Sequence, residues 1–277
     1  MVQLGVSISR SVEANLGIGN GFQKKNSNGY VRLTGPRRRN EMQDTNEKYL
    51  RQTGIVKPES TRRSVLVVGA GGIGAPCTLA LAKMGDFNIT VMDDDGVAEW
   101  NQSSTLYGPG HIDLFKGEAL QCLVSLMTGS VVFAEIDKFT KHTSVIQQEI
   151  VICAVDSMAV RWEIWKNFLA SPHTRLFIDA RMGGETAQIY TIEKSIIVDS
   201  IESGYMVSHE DGKFYADQWF PDSEAEEQSC TNRAIIYNTF MIASLIARAV
   251  RGYCTQTDKM PREVIFDMKN LDFMFQE

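Results

Sequence analysis

Hydrophobic order sharpens at Ser64. Residues Ser64-Val65-Leu66-Val67-Val68 form a short apolar run rich in β-branched side chains. Such a run predicts a strand buried on both faces, as in a parallel sheet. A glycine-rich turn, Gly69-Ala70-Gly71-Gly72-Ile73-Gly74, follows at once. Residues 75–84 then read as a helix stopped at Gly85. Asn88-Ile89-Thr90-Val91-Met92 reads as a second strand, and it ends in Asp93-Asp94-Asp95. Together these make a βαβ unit whose crossover is expected to be right-handed.

The theme repeats downstream. Apolar segments at 131–136, 150–155 and 176–180 predict further strands, separated by helical patterns at 116–127 and 158–170. The expected fold class is α/β: a Rossmann-like, doubly wound, mostly parallel sheet. From residue 186 the pattern changes. Strands are expected at 186–192 and 195–199, an acidic loop at 222–227, and a long apolar helix at 231–251. A closing hairpin follows from Val264–Asp267 and Leu271–Phe275, so residues 186–277 read as an antiparallel extension.

Charge divides the chain. Its net charge of -6 hides 12 basic and 5 acidic side chains in residues 1–63, against 16 and 29 in the remainder. Residues 1–40, rich in Gly, Ser, Asn and Lys/Arg, are expected to be a flexible basic arm, and residues 41–277 one domain. An acidic domain is a poor nucleic-acid binder, although the arm keeps that option open; no nucleic-acid partner is expected. No apolar run approaches about 18 residues, and the N-terminus lacks the apolar core of a signal peptide, so neither membrane insertion nor export is expected. Five widely spaced cysteines without a Cys-x-x-Cys pair suit a reducing cytoplasm and offer no paired zinc ligands.

The chemistry concentrates after the first strand. Gly69, Gly71 and Gly74 have the spacing in which the first glycine turns the chain, the second admits a phosphate and the third lets helix and strand pack. The helix N-terminus then offers free N–H groups and a partial positive charge to an anion. Asp93 lies 19 residues beyond Gly74, where an acid accepts hydrogen bonds from ribose hydroxyls. This much suits a dinucleotide dehydrogenase or an ATP-using enzyme. The four histidines (His111, His142, His173, His209) form no hydride-transfer constellation, and the last two sit in loop-like contexts.

Several short motifs, in order, resemble the ubiquitin-activating-enzyme-like family of ThiF/MoeB-like adenylyltransferases. The family's Asp-x-Val-x-x-Ser-Asn-Leu-x-Arg-Gln is similar to Asp95-Gly96-Val97-Ala98-Glu99-Trp100-Asn101-Gln102-Ser103-Ser104-Thr105. Its Asp-Ile-Gly-x-x-Lys resembles His111-Ile112-Asp113-Leu114-Phe115-Lys116. A strand-end aspartate followed by a helix arginine matches Asp156 and Arg161, and Arg-Tyr-x-Arg-Gln resembles Lys48-Tyr49-Leu50-Arg51-Gln52. The resemblance runs over about residues 47–270.

It implies that ATP binds at Gly69, Gly71, Gly72, Gly74, Asp93, Asp95, Asn101 and Lys116, and that Mg2+ is held by Asp156. Lys116 would supply charge to the phosphates. Arg51 would reach a phosphate, from the neighbouring subunit of a homodimer. The reaction implied is adenylation of the C-terminal carboxylate of a small ubiquitin-like or sulfur-carrier protein, which the region 186–277 would bind. Cys230 then has two readings: an acyl acceptor activated by a helix N-terminus and Arg233, or a structural cysteine beside Glu226 and Glu227. The family arginine three residues after Asn101 is Ser104 here, and the family glycine is Asp113. The first departure leaves Arg161 or Arg181 to take over, or else describes a non-catalytic nucleotide-binding partner of an activating complex. An NAD-dependent oxidoreductase is a further alternative, disfavoured by the series Asn101, Lys116 and Asp156.

Overall fold

The computed structural model describes residues 47–145, 147–198, 203–224 and 234–277, and the backbone of a two-residue antiparallel ladder, Lys24–Lys25 with Val31–Arg32. The rest of the basic arm, and Cys230, lie outside the described residues.

Strand β1 (Ser64–Val68) is the middle one of the five parallel strands, and four of its five residues are buried. Helix α1 (Gly74–Met84) returns the chain to β2 (Asn88–Met92), and α2 (Lys116–Thr128) leads to β3 (Val132–Glu135). The second half runs β4 (Ile150–Cys153), α3 (Met158–Ala170), β5 (Leu176–Gly183) and β6 (Thr186–Glu193). A separate antiparallel hairpin, β7 (Ser195–Val198) with β8 (Ser203–Met206), precedes α4 (His209–Asp217). The long helix α5 (Ile236–Thr255) and the hairpin β9 (Glu263–Asp267) and β10 (Asp272–Gln276) complete the chain.

The eight-stranded sheet has the order β10-β9-β6-β5-β4-β1-β2-β3. The five strands from β5 to β3 are parallel; β6, β9 and β10 extend the sheet through successive antiparallel pairings. Alternate residues feed two cores. Val65 and Val67 pack with α1, α2 and α5, whereas Leu66 and Val68 pack with the aromatic set Trp165, Phe168, Phe177, Tyr190 and Tyr215 under α3 and α4. Both faces are thereby covered, which is why the central strands are apolar without alternation. Among the described residues no helix is long and apolar enough to cross a membrane.

Three details differ from the sequence reading. Helix α4 replaces the loop expected around His209; Ser208 caps it by accepting a hydrogen bond from the Asp211 N–H at 3.0 Å. The helix is mostly polar and offers little periodicity, with Tyr215 its buried residue. Helix α5 ends four residues later than expected, at Thr255, where Gln256 takes a left-handed cap. Gly85 does stop α1, but in extended backbone: a Cβ there would lie 2.2 Å from Thr61 Oγ1, so crowding selects the glycine.

Candidate active site

The strand order reverses between β1 and β4, and at such a switch point the loops beyond the strands diverge and leave a crevice. A cavity of about 1300 Å³ occupies it. Gly69 has φ +98°, and a Cβ there would lie 2.6 Å from the Ala154 carbonyl oxygen. A Cβ on Gly74 would meet the Gly69 carbonyl oxygen at 1.8 Å. Gly71 is different: nothing lies within 4 Å of its Cβ position, and the residue faces the cavity with Gly69 and Gly72. No side chain caps the start of α1; Ala75 N–H already donates to the Gly71 carbonyl at 3.1 Å and Pro76 has no N–H, so the N–H groups left for an anion are those of the turn into the helix, Gly71 to Gly74.

Asp93, at the end of β2, ties this loop to α2. Its Oδ2 accepts from the Ala70 N–H at 2.6 Å, and Oδ1 accepts from the Asp95 N–H at 2.9 Å. Burial raises its pKa, opposed by the Ala70 N–H and the Lys116 charge. Lys116 Nζ lies 2.6 Å from Asp95 Oδ2 and 3.9 Å from Asp93 Oδ1. The lysine is the first residue of α2, and its N–H donates to the Asp95 carbonyl at 2.9 Å. The buried Tyr107 hydroxyl bridges the Ala70 carbonyl (2.7 Å) and the Lys116 carbonyl (3.1 Å), locking the loop to that helix.

The wall beyond β4 carries Asp156, whose carboxylate has no hydrogen-bond or ion-pair partner among the described residues. Close by, Asp222 accepts from the N–H groups of Met158 (2.5 Å) and Ala159 (3.3 Å) and from the Ser157 hydroxyl (3.1 Å), closing the N-terminus of α3. Beneath lies Asp179, fully buried, receiving Arg161, Arg181 Nε (2.9 Å) and the Tyr215 hydroxyl (2.9 Å). Burial would raise its pKa, but the two guanidiniums hold it below the ordinary carboxylate value.

Of the residues singled out from sequence, Gly69, Gly71, Gly72, Asp93 and Asp95 therefore meet Lys116 and Asp156 around one cavity, with Gly74 packed behind. Asn101 does not line it: its Oδ1 accepts the Ala98 N–H at 2.9 Å and caps its own turn. Arg51 sits on an exposed turn at the far end of α1, fastened through the Tyr49 hydroxyl to the Gly85 carbonyl at 2.9 Å. Eleven helical residues, about 16 Å of axis, separate it from the glycine loop. Arg161 spends its guanidinium on Asp179 and the carbonyls of Val155 and Ala180. Asp113 occupies the left-handed region, φ +68°, which explains a preference for glycine there and why aspartate is tolerated. Tyr107, Asp179, Tyr215 and Asp222 went unrecognised in the sequence, because each acts on groups distant in the chain.

The strand order, glycine loop and strand-end acid define a Rossmann-like α/β domain. The ThiF family model matches residues 51–277, and the chain belongs to that family. Over 103 residues it is 33% identical to the SAMP-activating enzyme E1 of Haloferax volcanii, covering 35% of this chain and 38% of that protein. Over 106 residues it is 35% identical to the adenylyltransferase and sulfurtransferase MOCS3 of Culex quinquefasciatus, covering 36% and 24%. The matches thus span about a quarter to two-fifths of these curated relatives. Among solved structures, PaaA superimposes with a TM-score of 0.62 at 15% identity, covering 91% of this chain and 87% of its own. E. coli MccB with MccA superimposes with a TM-score of 0.61 at 15% identity, covering 84% and 72%. At that identity the likeness establishes the fold.

Proposed function

We propose that the chain is an ATP-dependent adenylyltransferase acting on the C-terminal carboxylate of a small ubiquitin-like or sulfur-carrier protein. The observation that carries this reading is the meeting, around one cavity, of an uncapped helix N-terminus, Asp93, Lys116 and the unpartnered Asp156. The N–H groups of the turn Gly71–Gly74 at the start of α1 and Lys116 would hold phosphates, and Asp93 the ribose. Lys116 exchanges its bond to Asp95 for phosphate oxygen in this scheme. Asp156 fits Mg2+, which is commonly held by one or two carboxylates together with substrate phosphates. When bound, that ion neutralises phosphate charge.

A carboxylate oxygen of the carrier attacks the α-phosphorus; the bond to the bridging oxygen breaks, and pyrophosphate leaves. The chain's part is positioning and charge neutralisation. In the finer reading, the Cys230 thiolate attacks the acyl carbon and AMP departs. Because Arg51 lies the length of α1 from its own glycine loop, it would serve the neighbouring site of a homodimer. The relatives named an activating enzyme and adenylyltransferases support the reaction class. The cytoplasm is the proposed compartment.

Ser104 favours a second reading, a nucleotide-binding partner without catalysis, since serine carries no charge for the phosphates. ATP–pyrophosphate exchange with candidate carriers separates the two. Exchange should fall about 10²–10³-fold in Lys116→Ala and in Asp156→Ala. Nucleotide binding without exchange in the wild type would leave only the partner reading.

A further inference from the structure

The sheet ends in an open edge. β10 is its outermost strand, and each residue from Asp272 to Gln276 is exposed. The hydrogen-bond phase of the ladder fixes which backbone groups face outward. Met268 N–H donates to the Glu185 carbonyl and Thr191 N–H to the Arg262 carbonyl, both at 2.9 Å. The even-numbered residues of β9 therefore turn their backbone groups toward β6, and Glu263, Ile265 and Asp267 turn theirs toward Gln276, Met274 and Asp272 of β10. What remains on the outer edge of β10 is the N–H and C=O of Phe273 and Phe275, and no described group pairs with them.

The side chains carry an apolar surface to the same edge. Phe273 stacks on Phe266 of β9 with 5.6 Å between ring centroids, and Phe275 follows Phe273 at 6.3 Å. Phe266 belongs to the core under α5, so this row continues the core out to the last strand. Phe275 is 63% exposed, Met274 60% and Phe273 43%. Open sheet edges are ordinarily guarded by lysine, proline, a bulge or a covering element. Residues 271–276 contain no Lys, Arg or Pro, and the β9 ladder runs unbroken from Glu263–Gln276 to Asp267–Asp272.

Register selects the occupant. The two outward-facing residues flank Met274 symmetrically. A two-fold axis through Met274 sets Phe273 opposite the second copy's Phe275, and Phe275 opposite its Phe273. Both become hydrogen-bonded pairs of an antiparallel ladder, so every open N–H and C=O group of the two edges finds a partner. Phenylalanine then faces phenylalanine on the α5 side, and Asp272 faces Gln276, so no like charges oppose. Moving the axis to Phe273 would bring in Leu271, whose φ of +58° takes it out of the strand. Moving it to Phe275 would set Phe273 against Glu277. With about 150–250 Å² for a whole aromatic side chain, the apolar part of the joint stays below the roughly 1,200 Å² of a permanent interface, which suits reversible association.

We propose that β10 is a self-recognition edge, through which two copies join antiparallel about Met274 into one continuous sheet. The proposal goes beyond the adenylation reading and does not depend on it. Five strand spacings, about 24 Å, separate β10 from β1, so the glycine loop lies outside the joint. The joint also differs from the contact proposed for Arg51, at the end of α1.

The test is sedimentation velocity on the full chain from about 1 to 100 µM, where the wild type should double its mass, whatever its starting mass. Met274→Lys and Met274→Asp each set like charges against one another at the axis, and each alone should associate about tenfold or more weakly. An equimolar mixture of the two should recover wild-type association, because residue 274 then meets its opposite charge. Met274→Cys gives a second reading. Facing Cα atoms of a non-hydrogen-bonded pair lie about 4.5 Å apart, within disulfide range, so mild oxidation should yield a reducible covalent dimer that the wild type does not form. Melting within about 2 °C of the wild type certifies the fold of these surface variants. A wild type whose mass does not double overturns the proposal and leaves the edge to a strand of another protein. Doubling that survives in both charged variants, a mixture that fails to recover, or no covalent dimer from Met274→Cys overturns it as well.

Discussion

Two glycines three residues apart offer a sharp test of the site, because the structure assigns them opposite jobs. A methyl added at Gly74 would sit 1.8 Å from the Gly69 carbonyl oxygen, with Val67 behind at 3.3 Å. Backbone atoms cannot yield as a flexible side chain does, so Gly74→Ala should cost about 1–3 kcal/mol through overpacking. At about 2–4 °C per kcal/mol for a domain of this size, the melting temperature should fall by roughly 2–12 °C. Gly71→Ala meets nothing within 4 Å and sits at an ordinary φ, so the fold should be unharmed or gain up to about 1 kcal/mol from a stiffer unfolded chain. Its methyl enters the space where a phosphate must approach the α1 N–H groups. ATP affinity should therefore drop about tenfold or more, as the first contacts lengthen. Calorimetric melting and ATP titration on both variants read the two effects separately. The reasoning is refuted if Gly71→Ala binds ATP like the wild type, or if Gly74→Ala melts at the wild-type temperature.

Further outcomes concern stability. Asp113→Gly relieves left-handed strain of about 1 kcal/mol, partly offset by about 0.5 kcal/mol of added unfolded-state entropy. Its melting temperature should rise by roughly 1–2 °C, and a fall would count against the strain. Buried Lys194 donates to the carbonyls of Phe168 (2.6 Å) and Ser171 (2.6 Å) at the end of α3. Burial, with Arg175 nearby, pushes its pKa down to about 8 from 10.5. Between those values the unfolded chain holds the proton and the folded chain releases it, so stability rises with pH, by at most about 1.4 kcal/mol per unit. Denaturant titrations across that window should show a shallower slope for Lys194→Met than for the wild type; equal slopes would contradict the assignment.

Much of the domain was legible from the order of its residues. β1, β2 and α3 begin and end where their apolar and helical patterns predict. The glycine spacing located the loop, and the aspartates the strand end opposite it. What stayed hidden has a common character. Helix α4 is largely polar, and its buried residue, Tyr215, matters by reaching Asp179, 36 residues earlier in the chain. Tyr107 looks like a core aromatic until its hydroxyl is seen between Ala70 and Lys116.

Sequence determined, by itself, the βαβ period, the turn that needs glycine, and the supply of carboxylates and cations. Those are local matters: spacing along the backbone decides which residues a strand buries and where a helix can start. The tertiary structure decided which of those groups face the same space. It set Lys116 against Asp95, turned Asn101 inward to its own turn, and left Arg51 at the distant end of α1. It also spent Arg161 on Asp179 while leaving one nitrogen of Arg181 without a partner. Two arginines of identical chemistry acquired different roles because sheet register and burial, not residue type, fix which hydrogen-bond acceptors each one meets.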